Sequence, residues 1–148
     1  MGGCPRDGRG RSCTLGRAVS LPVAQGTLAT LAAIALGAVL GAWSRWALGL
    51  WLNRPGAALP MGTLVANCVG GLLIGALLAL IERRPEWGAL RPLLITGFLG
   101  ALTTFSTFSA ESLALIQRGA WGSALAHTLA HTLGALLATA IGWRLLRA

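Results

Sequence analysis

The chain has 148 residues, 55% of them hydrophobic and only 11% charged, with a mean hydropathy of +0.70. So little charge cannot supply the solvated shell of a soluble domain, and the apolar residues fall in long blocks rather than at a 3.6-residue period. The net charge of +8 comes from 12 Arg that mostly flank those blocks, where they set orientation and meet anionic lipid headgroups, so the basic balance is not read as a nucleic-acid surface.

A membrane span needs roughly 20 apolar residues at about 1.5 Å rise each. Four such blocks fit. Residues 1–24, rich in Gly, Arg and Ser, are read as a basic disordered tail, followed by a four-helix transmembrane domain over 25–148. The tail is not read as a secretory signal, because the apolar block after it is long enough to span. Cys4 and Cys13 lie in the tail and Cys68 lies mid-block. They show neither metal spacing nor a disulfide framework, and Cys68 is expected to be a small packing residue.

The first span is expected over 27–52, with Trp43, Trp46 and Trp51 near its end, where an aromatic belt would sit. Arg45 lies inside it and could either snorkel to the interface or draw anions toward a vestibule. Asn53-Arg54-Pro55-Gly56 reads as a turn. The second span, over 61–81, carries Thr63 and Asn67 four residues apart on one face. Asn67 offers two N–H donors, for an interhelical bond or for a ligand. Glu82-Arg83-Arg84-Pro85-Glu86 is the charge-rich loop.

The third span, over 92–116, holds the most informative cluster, because polar groups in a span are costly. Thr103-Thr104-Phe105-Ser106-Thr107-Phe108-Ser109 is followed by Glu111 and preceded by Gly97 and Gly100. The glycines are expected to loosen the helix and break it between Gly100 and Thr103, freeing carbonyls that must face protein, a cavity or an ion. The competing reading has the Ser and Thr side chains bonding their own backbone, but it leaves the glycines and Glu111 unexplained. Phe105 and Phe108, three apart, share a face.

The fourth span is expected over 121–146. Small residues let helices approach closely in lipid, and Gly122, Ala126, Ala130, Gly134, Ala138 and Gly142 make a candidate ridge at spacing four. Gly37 with Gly41, and Gly71 with Gly75, repeat that spacing. His127 and His131 have the i, i+4 spacing of a metal pair. Two ligands make an incomplete site with no carboxylate or thiol nearby in sequence, so polar lining or ordinary packing is expected, along with Thr128, Thr132 and Thr139.

Three stretches together resemble the CrcB, or Fluc, family of fluoride channels. They are Gly37 to Arg45 (GAVLGAWSR), Gly62 to Gly70 (GTLVANCVG) and Gly97 to Glu111 (GFLGALTTFSTFSAE), and the resemblance extends from about Ala24 to the C-terminus. It implies an all-α membrane protein of four transmembrane helices with a break in the third, assembled as an antiparallel, dual-topology dimer with two pores. It implies a passive channel in the cell membrane that exports fluoride and relieves its toxicity. Phe105 and Phe108 would match the family's phenylalanine box and Asn67 its pore asparagine. Ser106, Thr107 and Ser109 would fall among its pore-lining or supporting hydroxyls. Gly100 and Thr103 would match the backbone carbonyl donors to a central structural sodium ion (Na+), and Arg45 the family's first-helix arginine. Thr63 joins the candidate pore residues, and Glu111 and Arg45 are vestibule or supporting groups. The expected partners are fluoride, membrane lipid and a second subunit.

Charge bias bears on that subunit. Arg6, Arg9, Arg11, Arg17, Arg83, Arg84, Arg91, Arg144 and Arg147 lie on one side of the membrane, against Arg54 and Arg118 on the other. By the positive-inside rule this favours one orientation, so a heterodimer with an oppositely biased homologue stands beside the homodimer. A small proton-coupled exporter would need a carboxylate in the first span, which has none. No nucleophile–base pair points to an enzyme.

Overall fold

A computed structural model describes residues 26–53 and 59–147. The expected tail, and Arg54 to Gly56 of the expected turn, lie outside the described residues. Four helical spans are present among the described residues, each long and apolar enough to cross a membrane. Helix α1 is Thr27–Leu52 and α2 is Met61–Arg83, followed by a 3-10 stretch at Pro85–Leu90. The third span begins with a wide, π-wound stretch, Pro92–Leu99, continues as α3 (Gly100–Leu102) and resumes as α4 (Phe105–Gln117). Helix α5 is Trp121–Arg147. No strand occurs among the described residues. At 26 residues, α1 is about 39 Å long, more than the hydrocarbon core requires.

The chain is turned inside out relative to a soluble protein. Trp43, Trp46, Trp51 and Trp121 face outward, as do most of the leucines of α1 and α5. The buried positions are largely Gly and Ala, and the largest side chain with no exposure is a histidine, His127. A small apolar centre of Ala66, Leu99 and Leu102 is completed by Leu48, Ile74, Leu77 and Phe98. Lipid-facing leucines lose little by exposure in hydrocarbon, so tight backbone contact between helices carries the packing.

Two helix pairs show this. Helix α1 lies along Pro92–Leu99 and α3, and α2 lies along α5. A Cβ on Gly37 or Gly41 would collide with the carbonyl of Leu93 or Phe98, respectively. A Cβ on Gly75 would meet the Thr139 carbonyl, and one on Gly142 the Leu72 carbonyl. The expected fourth-span ridge is only partly used. Gly142 is buried, and Gly134 approaches the Cys68 sulfur, but Gly122 and Ala126 are exposed. The reason is geometric: spacing four overshoots the 3.6-residue turn by about 40° per step, so a six-residue ridge winds off the contact. The packed stripe of α5 instead starts with Ala124, His127 and His131.

The third span changes partners at its break. Its first arm rests on α1, whereas α4 packs on α5. Gly97 was expected to loosen the helix. It lies in the π-wound stretch and is also a buried contact residue, where a Cβ would lie 2.6 Å from the Ile34 carbonyl. The break itself falls at Thr103 and Thr104, both extended (φ −78°, ψ 152° and φ −149°, ψ 121°), rather than from Gly100 to Thr103. The last turn of α4 closes in a Schellman motif around Gly119, at φ 71°. There the Ala120 amide bonds the Leu115 carbonyl at 3.0 Å and the Gly119 amide bonds that of Ile116 at 2.9 Å.

Candidate functional site: the broken third span

A backbone break at membrane depth leaves amides and carbonyls without helical partners, and each must be met by protein. Asn67 on α2 does this for Thr104. Its Oδ1 accepts the Thr104 amide at 2.8 Å and its Nδ2 donates to the Thr104 carbonyl at 3.2 Å. An extended residue presents its N–H and C=O to the same side, so one primary amide satisfies both. The second Nδ2 hydrogen faces His131 Nδ1 at 3.1 Å. Both amide hydrogens of Asn67 therefore have partners within the chain, and its geometry is that of a clamp on the break.

Thr104, which the sequence reading placed in the cluster but not among the site residues, is the centre of this arrangement. Its Oγ1 caps α4 by accepting the Thr107 amide at 3.1 Å. The same oxygen donates to Thr107 Oγ1 at 3.0 Å and lies 3.2 Å from Ser106 Oγ. Thr103 Oγ1 donates to the Leu99 carbonyl and Ser109 Oγ to the Phe105 carbonyl, each at 2.9 Å. The backbone-bonding reading thus holds for Thr103, Thr104 and Ser109, while the hydroxyls of Thr104, Ser106 and Thr107 also cluster at the head of α4.

Arg45 neither snorkels nor stands free. Its Nε donates to the Ala101 carbonyl at 3.0 Å, closing the end of the first arm. Asn53 Oδ1 accepts the Gly62 amide at 2.7 Å and so caps α2. Two cavities flank the break. One of about 450 Å³ is lined by Asn67, Thr103, Thr104, Phe105, Phe108 and His131. The other, of about 360 Å³, is lined by Arg45, Trp46, Asn53, Thr63, Thr104 and Thr107. Thr104 belongs to both walls.

The aromatic row runs from the surface inward. Phe105 is 79% exposed, and its ring centroid lies 5.4 Å from that of Phe108, at 54°. Phe108 in turn stacks on His127 at 5.3 Å and lies 5.0 Å from His131. Behind the row, Thr63 Oγ1 donates to Glu111 Oε1 at 2.6 Å, and Glu111 Oε2 lies 3.3 Å from His127 Nε2. Ser112 Oγ holds His127 Nδ1 at 3.0 Å. The histidines, which have no carboxylate nearby in sequence, thus have one from α4. The i, i+4 spacing marked them as a pair, but nothing local in the sequence pointed to Glu111 or Ser112. Gly100 is exposed, and with the Thr104 amide given to Asn67 its carbonyl loses its helical partner.

Comparison with known proteins identifies the family. The model of the CrcB-like (Camphor Resistance, CrcB) family matches residues 32–143, a stretch that contains the clamp, the break and the aromatic row. The chain belongs to the CrcB family. A relative from Aromatoleum aromaticum, named a fluoride-specific ion channel FluC, is 54% identical over 121 residues, covering 81% of this chain and 92% of the relative. Relatives of the same name come from Marinobacter nauticus (53% identical, 75% and 89% covered) and Bordetella pertussis (55% identical, 74% and 85% covered). With four spanning helices and membership of CrcB, the chain is a multi-pass protein of the cell membrane.

Proposed function

We propose that this CrcB-family chain is a passive, fluoride-selective channel that exports fluoride from the cytoplasm. The observation that carries the reading is the aromatic row at the broken span, in a chain 54–55% identical, over 121 and 111 aligned residues, to relatives named as fluoride channels. Fluoride is small and tightly hydrated, so a path across the membrane must replace its water with donors. The positive edge of an aromatic ring is one such group. The tilt of Phe105 against Phe108 leaves edges as well as faces available along the row. Ser106, Thr107 and Ser109 are the hydroxyls nearest that row in sequence, with Ser106 and Ser109 exposed. Asn67 acts by fixing Thr104 between the two cavities, and Thr63 with Glu111 braces α2 against α4. Arg45, in the wall of the smaller cavity, adds positive charge where an anion would enter.

The second subunit would be an inverted copy, giving two pores, and Phe105, so exposed in one chain, would find its counterpart there. A structural sodium ion would be held by the Gly100 and Thr103 carbonyls of both subunits. The exposed Gly100 carbonyl, deprived of its amide, suits an oxygen-liganded cation. Such an ion would supply fixed positive charge near the anion path. A heterodimer with an oppositely biased homologue is favoured over the homodimer only by the charge count. Among the described residues that count is Arg83, Arg84, Arg91, Arg144 and Arg147 against Arg118.

A cellular test is direct. In a bacterium lacking its own fluoride exporter, expression of this chain should restore growth in millimolar-range fluoride, and Phe108→Ile should not. Equal rescue by both would contradict the role given to the row.

A further inference from the structure

We propose that Glu111, His127 and His131 form a binding site for a divalent transition cation of the zinc class. Among the described residues, three buried side-chain atoms make no hydrogen bond: Glu111 Oε2, His127 Nε2 and His131 Nε2; the first two face each other at 3.3 Å as an ion pair, and His131 Nε2 has no such partner. They belong to the same three residues whose candidate ligand atoms all lie within 4.8 Å of one another. His127 is fully buried and His131 is 4% exposed, so these atoms cannot simply turn to solvent.

The donor set selects the cation. Two imidazoles and one carboxylate are the ligands of a zinc site with its fourth position open. Sodium, magnesium and calcium prefer oxygen donors. Metal–nitrogen bonds of about 2.0–2.1 Å in a tetrahedron put donors about 3.4 Å apart. The Glu111–His127 pair is already at 3.3 Å, and the widest pair, within 4.8 Å, must close by up to about 1.4 Å. Each ligand is also held from behind. Thr63 fixes Glu111 Oε1, Ser112 fixes His127 Nδ1 and Asn67 fixes His131 Nδ1. Such outer partners orient metal ligands.

One of those partners makes the site conditional. A neutral imidazole bound to metal through Nε2 carries its proton on Nδ1. At His127 the Ser112 hydroxyl can accept that proton. At His131 the neighbour is the Asn67 Nδ2 donor, whose orientation is fixed by its two bonds to Thr104. Cation binding therefore moves the His131 proton from Nε2 to Nδ1 and sets N–H against N–H. Occupancy of the site is thereby opposed to the clamp on the break. An aspartate at position 67 would accept that proton, at the cost of the bond that Asn67 Nδ2 donates to the Thr104 carbonyl.

The site stands on side-chain geometry and does not depend on fluoride conduction, so its test uses no flux. Tag-free protein carrying Cys4, Cys13 and Cys68 as Ala is titrated with Co2+ in detergent and followed by visible absorption. One Co2+ per chain is expected, with the d–d bands of nitrogen and oxygen ligation. His127→Gln and His131→Asn should each weaken binding at least tenfold, and Asn67→Asp should tighten it about tenfold. Folded, monodisperse protein without a Co2+ band would overturn the site, as would a band that survives in both histidine variants. Unchanged affinity in Asn67→Asp would overturn the opposition between cation and clamp.

Discussion

Thr104 and Asn67 show how much a single residue pair can carry in this protein. Asn67 closes two backbone bonds at the break, at 2.8 and 3.2 Å, and Thr104 Oγ1 caps the helix that follows. Asn67→Ala should therefore abolish most fluoride flux while leaving the four helices formed, because the Thr104 peptide loses both partners. Flux and helicity measured on the same preparation check this, and retained flux would contradict the clamp. Thr104→Ala should cost about 1 kcal/mol, the usual loss for a helix cap, seen as a lower melting temperature in detergent. The sequence made Asn67 visible as a polar residue in a span, with an interhelical bond and a ligand as its two readings, and the structure shows the bond between elements. Its true partners come from a stretch 37 residues away, and only the path of the chain brings them together.

At the scale of elements, backbone proximity decides stability. Helices α2 and α5 meet where Gly75 faces Thr139 and Gly142 faces Leu72, carbonyl to α-carbon. Gly142→Leu should separate the pair, and the expected result is aggregated or markedly less heat-stable protein by size-exclusion chromatography. Gly122→Leu, at an exposed position with nothing near its α-carbon, should leave the elution profile unchanged. The spans themselves were legible as apolar blocks, since length and hydropathy are set by the bilayer. The expected ends at 81, 116 and 146 compare with helices reaching Arg83, Gln117 and Arg147. What the blocks could not show was rotation about each helix axis. The small ridge of α5 winds off its contact, and Gly97, within the π-wound stretch, also packs on α1. The cluster of hydroxyls located the break, but which two residues are extended depends on where Asn67 reaches it.

For the whole molecule, the open question is the second subunit. An inverted homodimer predicts that each face of the chain is found on both sides of the membrane. In a background with Cys4, Cys13 and Cys68 replaced by Ala, Glu86→Cys placed in the loop after α2 should react in part with an impermeant thiol reagent in intact cells, and fully after permeabilisation. All-or-none labelling would mean one orientation, as the arginine count favours, and would direct attention to a homologous partner chain. The family resemblance, carried by the motifs at 37–45, 62–70 and 97–111, made the CrcB assignment readable from sequence. The Glu111–His127–His131 group was not readable, because its carboxylate lies on α4 and its imidazoles on α5.

The most direct test of fluoride conduction is efflux from liposomes containing this polypeptide alone, with chloride as the control anion and Phe105→Ile alongside. Rapid fluoride release, absent for chloride and lost in the variant, is the predicted result. Well-folded protein that releases no fluoride, or that releases chloride equally well, would contradict the account of a self-sufficient fluoride channel.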